Sequence, residues 1–389
     1  LAIVHFAFQY NHMDFLYKRV LKPILFLFDP EVVHDFFIWS GESLGGFGLT
    51  RKLTSFFYGY NDDVSVSDAT VGRRDISKTV DGIRYRIPVL LSAGFDYDGR
   101  LTQILPSLAF GGEEVGSVTA RPCAGNHKPR LIRLPKSQSV IVNKGLRNAG
   151  VEALIVKLKK EFMDRKSGIN KEKLCLDLHN DQSFVIGISI ARTNDECSVD
   201  IEAGIDDYAY SFKRLNEEGI GDYYTINISC PNAFGGEAFA TPDLLTKLLA
   251  RLSIISCTKP VYIKMPINLP WEQFYDLLKV IDFYKLQGVV IGNLNKDYGS
   301  LGVRAEAPEE YAGGLSGLPC RQLSSDLISR TRKAYGKRFT IIGVGGIMSV
   351  ADAREKFAAG ADLIQLITGM IWNGPGFMKE ICVDLQDFL

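Results

Sequence analysis

Apolar positions in this chain gather into eight short runs: Val89–Phe95, Gly112–Thr119, Phe184–Ile190, Tyr223–Cys230, Pro260–Pro266, Gly288–Leu294, Thr340–Gly346 and Leu363–Thr368. They are rich in β-branched and aliphatic residues and short enough to be strands buried on both faces, as in a parallel sheet. Helix-patterned segments separate most of them. Tyr208–Glu218 follows an acidic loop over Asp200–Asp207, Pro242–Ile255 opens on Thr241 as N-cap, and Val350–Ala359 ends at Gly360. Eight strands are what a closed (β/α)8 barrel requires, and about 300 residues is within its usual size. An open doubly wound sheet fits the same alternation, so the count alone leaves both open.

The first 60 residues are patterned differently. Phe15, Leu16, Val20, Leu21, Ile24, Leu25, Phe26, Leu27 and Phe28 are dense apolar positions interleaved with Lys18, Arg19 and Lys22. Asp29-Pro30-Glu31 then reads as a helix start, with Asp29 as cap and Pro30 in the first turn, opening the amphipathic run Val32–Ser40. Two short apolar helices joined by a turn suit a bilayer surface, with the lysines at headgroup level. They suit equally a helical hairpin packed across one end of the barrel. The chain therefore divides into an N-terminal helical segment over 1–60 and a barrel over 61–389. Residues 1–12 fit neither element, and Met13 marks a candidate natural start. A long insertion over 120–183 carries a Pro- and Arg-bearing loop, then a charged stretch, Lys157–Lys173, that reads as solvated helix.

Composition narrows the partners. Of 389 residues 46% are apolar, and 37 glycines against 15 prolines do not suggest disorder. Lysine and arginine number 45, as do aspartate and glutamate, so no bulk charge draws the chain to nucleic acid. Seven scattered cysteines, an odd number without metal-ligand spacing, point to a reducing compartment and no metal site. No run of about 18 uninterrupted apolar residues occurs, so no spanning helix is expected. The location expected is cytoplasmic, or peripheral on the cytoplasmic side of a membrane.

The chemistry concentrates at the ends of the runs. In Ile226-Asn227-Ile228-Ser229-Cys230-Pro231-Asn232 the polar residues alternate with the apolar ones, and Cys230 arrives where Pro231 ends the strand. A thiol flanked by two carboxamides suggests a reaction site, although a cysteine beside a proline is also common as a small buried apolar residue. Gly343-Val344-Gly345-Gly346 and Thr368-Gly369-Met370 close the last two runs, where barrels commonly hold a phosphate between glycine-rich loops. Tight turns alone would also need those glycines. Lys264 sits in an otherwise apolar strand and needs an anionic or electron-rich partner, either a flavin ring edge or an internal barrel carboxylate. Asn227, Asn232 and Asn293 fall at or beyond strand ends, and their amides suit a planar ligand with alternating carbonyl and N–H groups.

Taken together these motifs resemble the dihydroorotate dehydrogenases, from about residue 13 to about residue 385. The resemblance is carried by Ser92-Ala93-Gly94-Phe95-Asp96, Glu114-Val115-Gly116-Ser117-Val118-Thr119, Pro129-Arg130-Leu131-Ile132-Arg133-Leu134-Pro135, Asn227–Asn232, Gly313-Gly314-Leu315-Ser316-Gly317 and the two glycine turns. It implies an FMN-dependent (β/α)8 enzyme of pyrimidine biosynthesis that oxidises dihydroorotate to orotate. By the same resemblance Cys230 is the base, and Asn143, Asn227, Asn232 and Asn293 bind the substrate. Ala93, Gly94, Ser117, Lys264, Gly317, Gly345, Gly346, Thr368 and Gly369 would hold FMN. The N-terminal helices resemble those of the membrane-associated, quinone-reducing class, placing His34 and Arg133 at its quinone site.

This chain also departs from the family pattern. The quinone class typically has serine at the position of Cys230, and the soluble classes cysteine. A thiol titrates nearer neutrality than a hydroxyl and so needs less help to act as base. Tyr97 stands where a lysine usually follows Gly-Phe-Asp, Ser189 replaces an asparagine, Leu294 a hydroxyl residue and Ile367 a tyrosine. The family's ligand asparagine falls at Val142 or, with a shift of one residue, at Asn143. Lys144 or Arg147 is a candidate replacement for the missing cation opposite a substrate carboxylate. Alternatives thus stand beside dihydroorotate oxidation: a related ene-type oxidoreductase on another cyclic amide or unsaturated acid, or a non-catalytic FMN-binding barrel. Quinone fits the helical appendage, while Cys230 and Ile367 leave fumarate or another soluble oxidant open as acceptor.

Overall fold

The computed structural model describes residues 15–60, 74–167, 184–311 and 313–388. Its strands are β1 (Lys78–Val80), β2 (Ile83–Tyr85), β3 (Val89–Leu91), β4 (Gly112–Val118), β5 (Leu131–Leu134), β6 (Ser139–Val142), β7 (Val185–Ile190), β8 (Tyr223–Asn227), β9 (Val261–Met265), β10 (Gly288–Ile291), β11 (Gly314–Gly317), β12 (Thr340–Val344) and β13 (Leu363–Leu366). Each of the eight apolar runs contains one barrel strand. They run parallel in chain order around a closed cylinder, β3-β4-β7-β8-β9-β10-β12-β13, and Ile364 pairs with Val89 where β13 meets β3. Closure rules out the open sheet.

Alternation within the strands sorts the core into two compartments, because successive side chains point to opposite faces. Leu90, Val185, Tyr223, Tyr262, Val290, Ile342 and Leu363 fill the inside of the cylinder. Their neighbours Val89, Leu91, Ile186, Tyr224, Ile263, Val289, Ile341 and Ile364 pack against the surrounding helices. The β1–β2 hairpin plugs the N-terminal end of the barrel with Val80 and Tyr85. Its turn is tied down by Asp81, whose carboxylate accepts from Tyr262 Oη and Thr340 Oγ1, both at 2.7 Å. Above this layer Glu114 is buried, accepting at 2.9 Å from Thr225 Oγ1 and from Gln365 Nε2.

Three helices match or correct the sequence reading. Val350–Ala359 has the expected bounds and stops at Gly360 in the left-handed conformation. The helix before β8 spans Ile201–Glu217, so the acidic segment 200–207 is its first turns and not a loop. Asp200 caps it by accepting from Ala203 N. Pro242–Ser253 follows Thr241, whose side chain makes no capping bond. Helix Val151–Ser167 opens the charged stretch, where Lys157 pairs with Glu42 and Lys159 with Glu218. Residues 1–12, Met13 and 168–173 lie outside the described residues, and the expected boundary after residue 60 abuts residues outside them.

Residues 15–60 form a π turn over Tyr17–Leu21 and helices Lys22–Leu25, Pro30–Gly45 and Gly48–Tyr58. Asp29 caps the second helix as its sequence indicates, accepting from Glu31 N at 2.8 Å and Val32 N at 3.1 Å. One side of this layer packs on the barrel's C-terminal end. Ile38 joins the main core, Tyr17 Oη donates to Ile371 O, and Arg100 Nε donates to Glu42. The other side turns apolar residues outward, with Leu27 83%, Leu49 79%, Phe47 69% and Phe56 65% exposed. The antiparallel sheet β5–β6–β11 completes the roof.

Candidate active site

Under that roof the C-terminal ends of the strands open into one cavity of about 700 Å³, within the range of small-ligand sites. Each wall residue is delivered where a strand leaves its ladder. β8 ends at Asn227, and three residues later Cys230 reaches the wall, where Pro231 has no N–H to continue the sheet. β10 ends at Ile291 and delivers Asn293 and Leu294. β12 ends at Val344 and delivers Gly345 and Gly346. β13 ends at Leu366 and delivers Ile367, Thr368 and Gly369. Ser117 and Lys264 come from within β4 and β9, and Ala93 and Gly94 follow β3.

The polar groups of the wall are locked to one another. Asn227 Nδ2 donates to Ser117 Oγ at 2.8 Å, and Ser117 Oγ shares a 2.7 Å bond with Ser189 Oγ. Asn293 Nδ2 donates at 2.7 Å to both O and Oγ of Ser229, whose hydroxyl lies 3.2 Å from Asn227 Oδ1. Two carboxamides are thus fixed through one serine, as a preorganised ring-binding site requires. Lys264 Nζ lies 3.4 Å from Ser92 Oγ and 3.9 Å from Glu114 Oε1. The barrel carboxylate considered for this lysine is therefore present. Its Oε1 nevertheless has no hydrogen-bond partner, and Lys264 still fronts the cavity. Burial pulls this ammonium below its ordinary value, against the pull of Glu114 and Cys230.

Cys230 is partly buried with its thiol free. Burial pushes the thiol up, and Glu237 pushes the same way, while the Asn232 amide, Lys296 and Lys264 oppose. Just past β13, the Thr368 hydroxyl shares a 2.9 Å bond with that of Ser316 on roof strand β11. Gly345 and Gly346 turn with φ of 109° and 71°, a region that favours glycine. A Cβ on Gly346 would stand 2.4 Å from Arg321 Cα. The result is a stretch of bare backbone facing the cavity, with room for an anion to approach its amides.

Asn143 and Asn232 do not form the wall. They lie one layer behind Val142, which does. Asn232 Nδ2 donates to Val142 O at 2.7 Å, leaving its buried Oδ1 without a partner. The Asn143 carbonyl accepts from Asn126 Nδ2 at 2.8 Å. All other expected site residues line the cavity.

From the barrel mouth the cavity continues between the N-terminal helices, where Leu16, Tyr17, Leu25, Phe26, Phe36 and Phe37 make an apolar wall. His34 and Arg133 stand there. His34 Nε2 donates to Phe95 O at 2.8 Å, and Arg133 donates to Phe28 O at 2.9 Å with its guanidinium over the Phe26 ring. The structure also separates the two candidate cations left by the sequence. Lys144 is buried in the wall, whereas Arg147 is exposed and reaches toward Glu31 and Asp35. Ser92 and Ser316 are wall residues that sequence reasoning passed over. Both lie inside the quoted motifs, and only tertiary packing shows which way their hydroxyls face.

Known proteins resemble this chain over nearly its whole length. The family model for dihydroorotate dehydrogenase matches residues 75–389. A dihydroorotate dehydrogenase (quinone) of Christiangramia forsetii is 34% identical over 371 residues, covering 94% of this chain and 97% of the relative. One from Thermosynechococcus vestitus is 32% identical, covering 94% of each. Among solved structures, dihydroorotate dehydrogenase of Eimeria tenella in complex with ferulenol superposes with a TM-score of 0.74 at 25% identity, covering 92% of this chain and 90% of that one. With its barrel, its cavity and these relatives, the chain belongs to the dihydroorotate dehydrogenase family.

Proposed function

We propose that the chain oxidises dihydroorotate to orotate in pyrimidine biosynthesis, with flavin mononucleotide as cofactor and a quinone as electron acceptor. The observation that carries this reading is a single continuous cavity. It brings Cys230, two carboxamides and the glycine turns together at the barrel mouth, and it runs on into an apolar passage between the N-terminal helices. Flavin mononucleotide, when bound, would supply a two-electron carrier between substrate and quinone.

The residues fit that group. Gly345, Gly346, Thr368 and Gly369 offer backbone amides to its phosphate, helped by Gly317 and the Ser316–Thr368 hydroxyl pair. Lys264 would offer its ammonium to the negative charge the ring gains on reduction, and Ala93, Gly94 and Ser117 would line the ring. Asn227 and Asn293 hold the substrate's amide edge, tied in place by Ser229. Asn143 and Asn232 act from behind Val142, with the unpartnered Asn232 Oδ1 as the remaining acceptor. Cys230, as thiolate, takes the proton from the ring carbon next to the substrate carbonyl, while hydride leaves the carbon that bears the carboxylate. His34 and Arg133 border the passage through which a quinone headgroup approaches.

The N-terminal segment over 1–60 then acts as a docking unit on the barrel of 61–389, holding the protein peripherally at the cytoplasmic side of a membrane. Among the described residues no helix is long and apolar enough to cross one.

Purified protein tests the reading directly. It should be yellow, bleach under anaerobic conditions on adding dihydroorotate, and regain colour with a short-chain quinone faster than with fumarate. A flavin-loaded protein that dihydroorotate never bleaches defeats the substrate assignment.

A further inference from the structure

We propose that Lys144 is the cation that binds the substrate carboxylate, and that His34 of the N-terminal helix layer positions it. This deepens the reading above and rests on it. Lys144 is buried in the cavity wall, yet among the described residues no carboxylate lies within ion-pair distance of Nζ. Its Nζ lies 3.1 Å from Nδ1 of His34, and the Tyr97 ring lies 5.2 Å away. A buried ammonium without a counter-ion is costly, and the site is completed when an anion arrives.

The surrounding charges agree. Burial pulls Lys144 down to about 8. Asp35 and Glu31 oppose that at longer range, and Arg147 and Arg130 add to it. The other cations near the cavity are engaged elsewhere. Lys264 has Glu114 beneath it, Arg133 sits at the apolar end against Phe26, and Arg147 reaches Glu31 and Asp35. Tyr97 carries the assignment to the reacting end of the cavity, since it lines the same cavity as Cys230 while its ring faces Lys144.

His34 is itself held at both ring nitrogens. Nε2 donates to Phe95 O, while Nδ1 stands 3.1 Å from Lys144 Nζ and 3.2 Å from Asp35 Oδ1, so the ring holds Lys144 in place from between the ammonium and that carboxylate. His34 lies on helix Pro30–Gly45, outside the barrel. The N-terminal layer therefore helps build the substrate site as well as the quinone passage.

Calorimetric titration of orotate into the flavin-loaded, full-length protein tests this without turnover. Lys144→Met should weaken orotate binding by about 10- to 100-fold, the loss expected for a buried charged hydrogen bond. Lys144→Arg should keep most of the affinity. The neutral carboxamide of orotate should bind wild type and Lys144→Met alike. With no quinone present, His34→Ala should weaken orotate several-fold, a change that a role confined to quinone would not produce. Should Lys144→Met lose flavin, Lys144→Gln, which keeps a hydrogen-bonding stem, is read in its place. A flavin-loaded variant with wild-type orotate affinity overturns the proposal, as does an equal loss for orotate and its carboxamide. Wild type that dihydroorotate does not bleach overturns instead the function on which the proposal rests.

Discussion

Cys230 can act as a base only in its thiolate form, and its surroundings work against that form. Burial raises the thiol above its ordinary value and Glu237 adds to the rise, so at neutral pH the proton stays on sulfur. Every tenfold weakening of the thiol as an acid removes about another tenfold of thiolate at a given pH. Flavin reduction by dihydroorotate should therefore climb with pH through neutrality and level off only in the alkaline range. Glu237→Gln removes an opposing carboxylate and should move that rise to lower pH. Cys230→Ser should slow reduction at neutral pH by about 100-fold or more and move the rise upward. Stopped-flow reduction across a pH series reads all three, and profiles that coincide for wild type and both variants would remove Cys230 from the base role. The place of Cys230 at the mouth was legible in the sequence from the stop at Pro231, because alternation continued along β8 would have set it beside Ile226 and Ile228 against the helices. The Val142–Asn143 pair was not, since a shift of one residue exchanges wall for second layer. Lys144 was legible as a cation and not as a wall residue. Its place is set by a histidine 110 positions earlier in the chain.

At the scale of elements, the sequence marked every barrel strand but ran several of them too far toward the carboxyl end. The runs ending at Phe95, Cys230, Gly346 and Thr368 leave their ladders at Leu91, Asn227, Val344 and Leu366. The overshoot has one cause. Residues past the ladder remain apolar or small because they line a cavity, and patterning cannot tell a cavity wall from a strand. The acidic turn before β8 misled for the opposite reason, since Asp200 and Glu202 favour the start of a helix through its exposed amides and so look like a loop. Gly346 shows how tightly one overshoot is built. Gly346→Ala forces a side chain onto a positive φ and against the Arg321 backbone, and should cost about 1–3 kcal/mol of stability. It should also empty the cofactor site, because the turn must shift away from Arg321 and its amides lose their placement. Thermal melting and flavin content of the purified variant check both effects. A variant that keeps its melting temperature and its colour would show that this turn does not hold the phosphate.

Seen whole, the molecule joins two surfaces of opposite character through one passage. The barrel mouth is lined by amides and charges, while the outer face of residues 15–60 carries Leu27, Phe47, Leu49 and Phe56 with most of their area exposed. Sequence patterning left bilayer docking and packing on the barrel as alternatives for this segment. The structure packs one side of it on the barrel and leaves the other side apolar and open. Burying each such side chain in lipid is worth about 1.5–3 kcal/mol, so a few of them, with Lys18 and Arg19 for anionic headgroups, suffice for reversible binding. Leu49 and Phe56 are not part of the cavity wall, so charging them should leave its chemistry alone. The paired change Leu49→Glu with Phe56→Glu should abolish co-sedimentation with anionic phospholipid vesicles and leave flavin content and reduction by dihydroorotate as in wild type. Reoxidation by a long-chain quinone held in the vesicles should slow at least tenfold, because under the proposed docking the passage would no longer rest on the bilayer. Reoxidation by a short soluble quinone should be unchanged. If the variant still sediments with vesicles, the outward face is not the docking surface. If the short quinone slows equally, the two residues shape the passage itself.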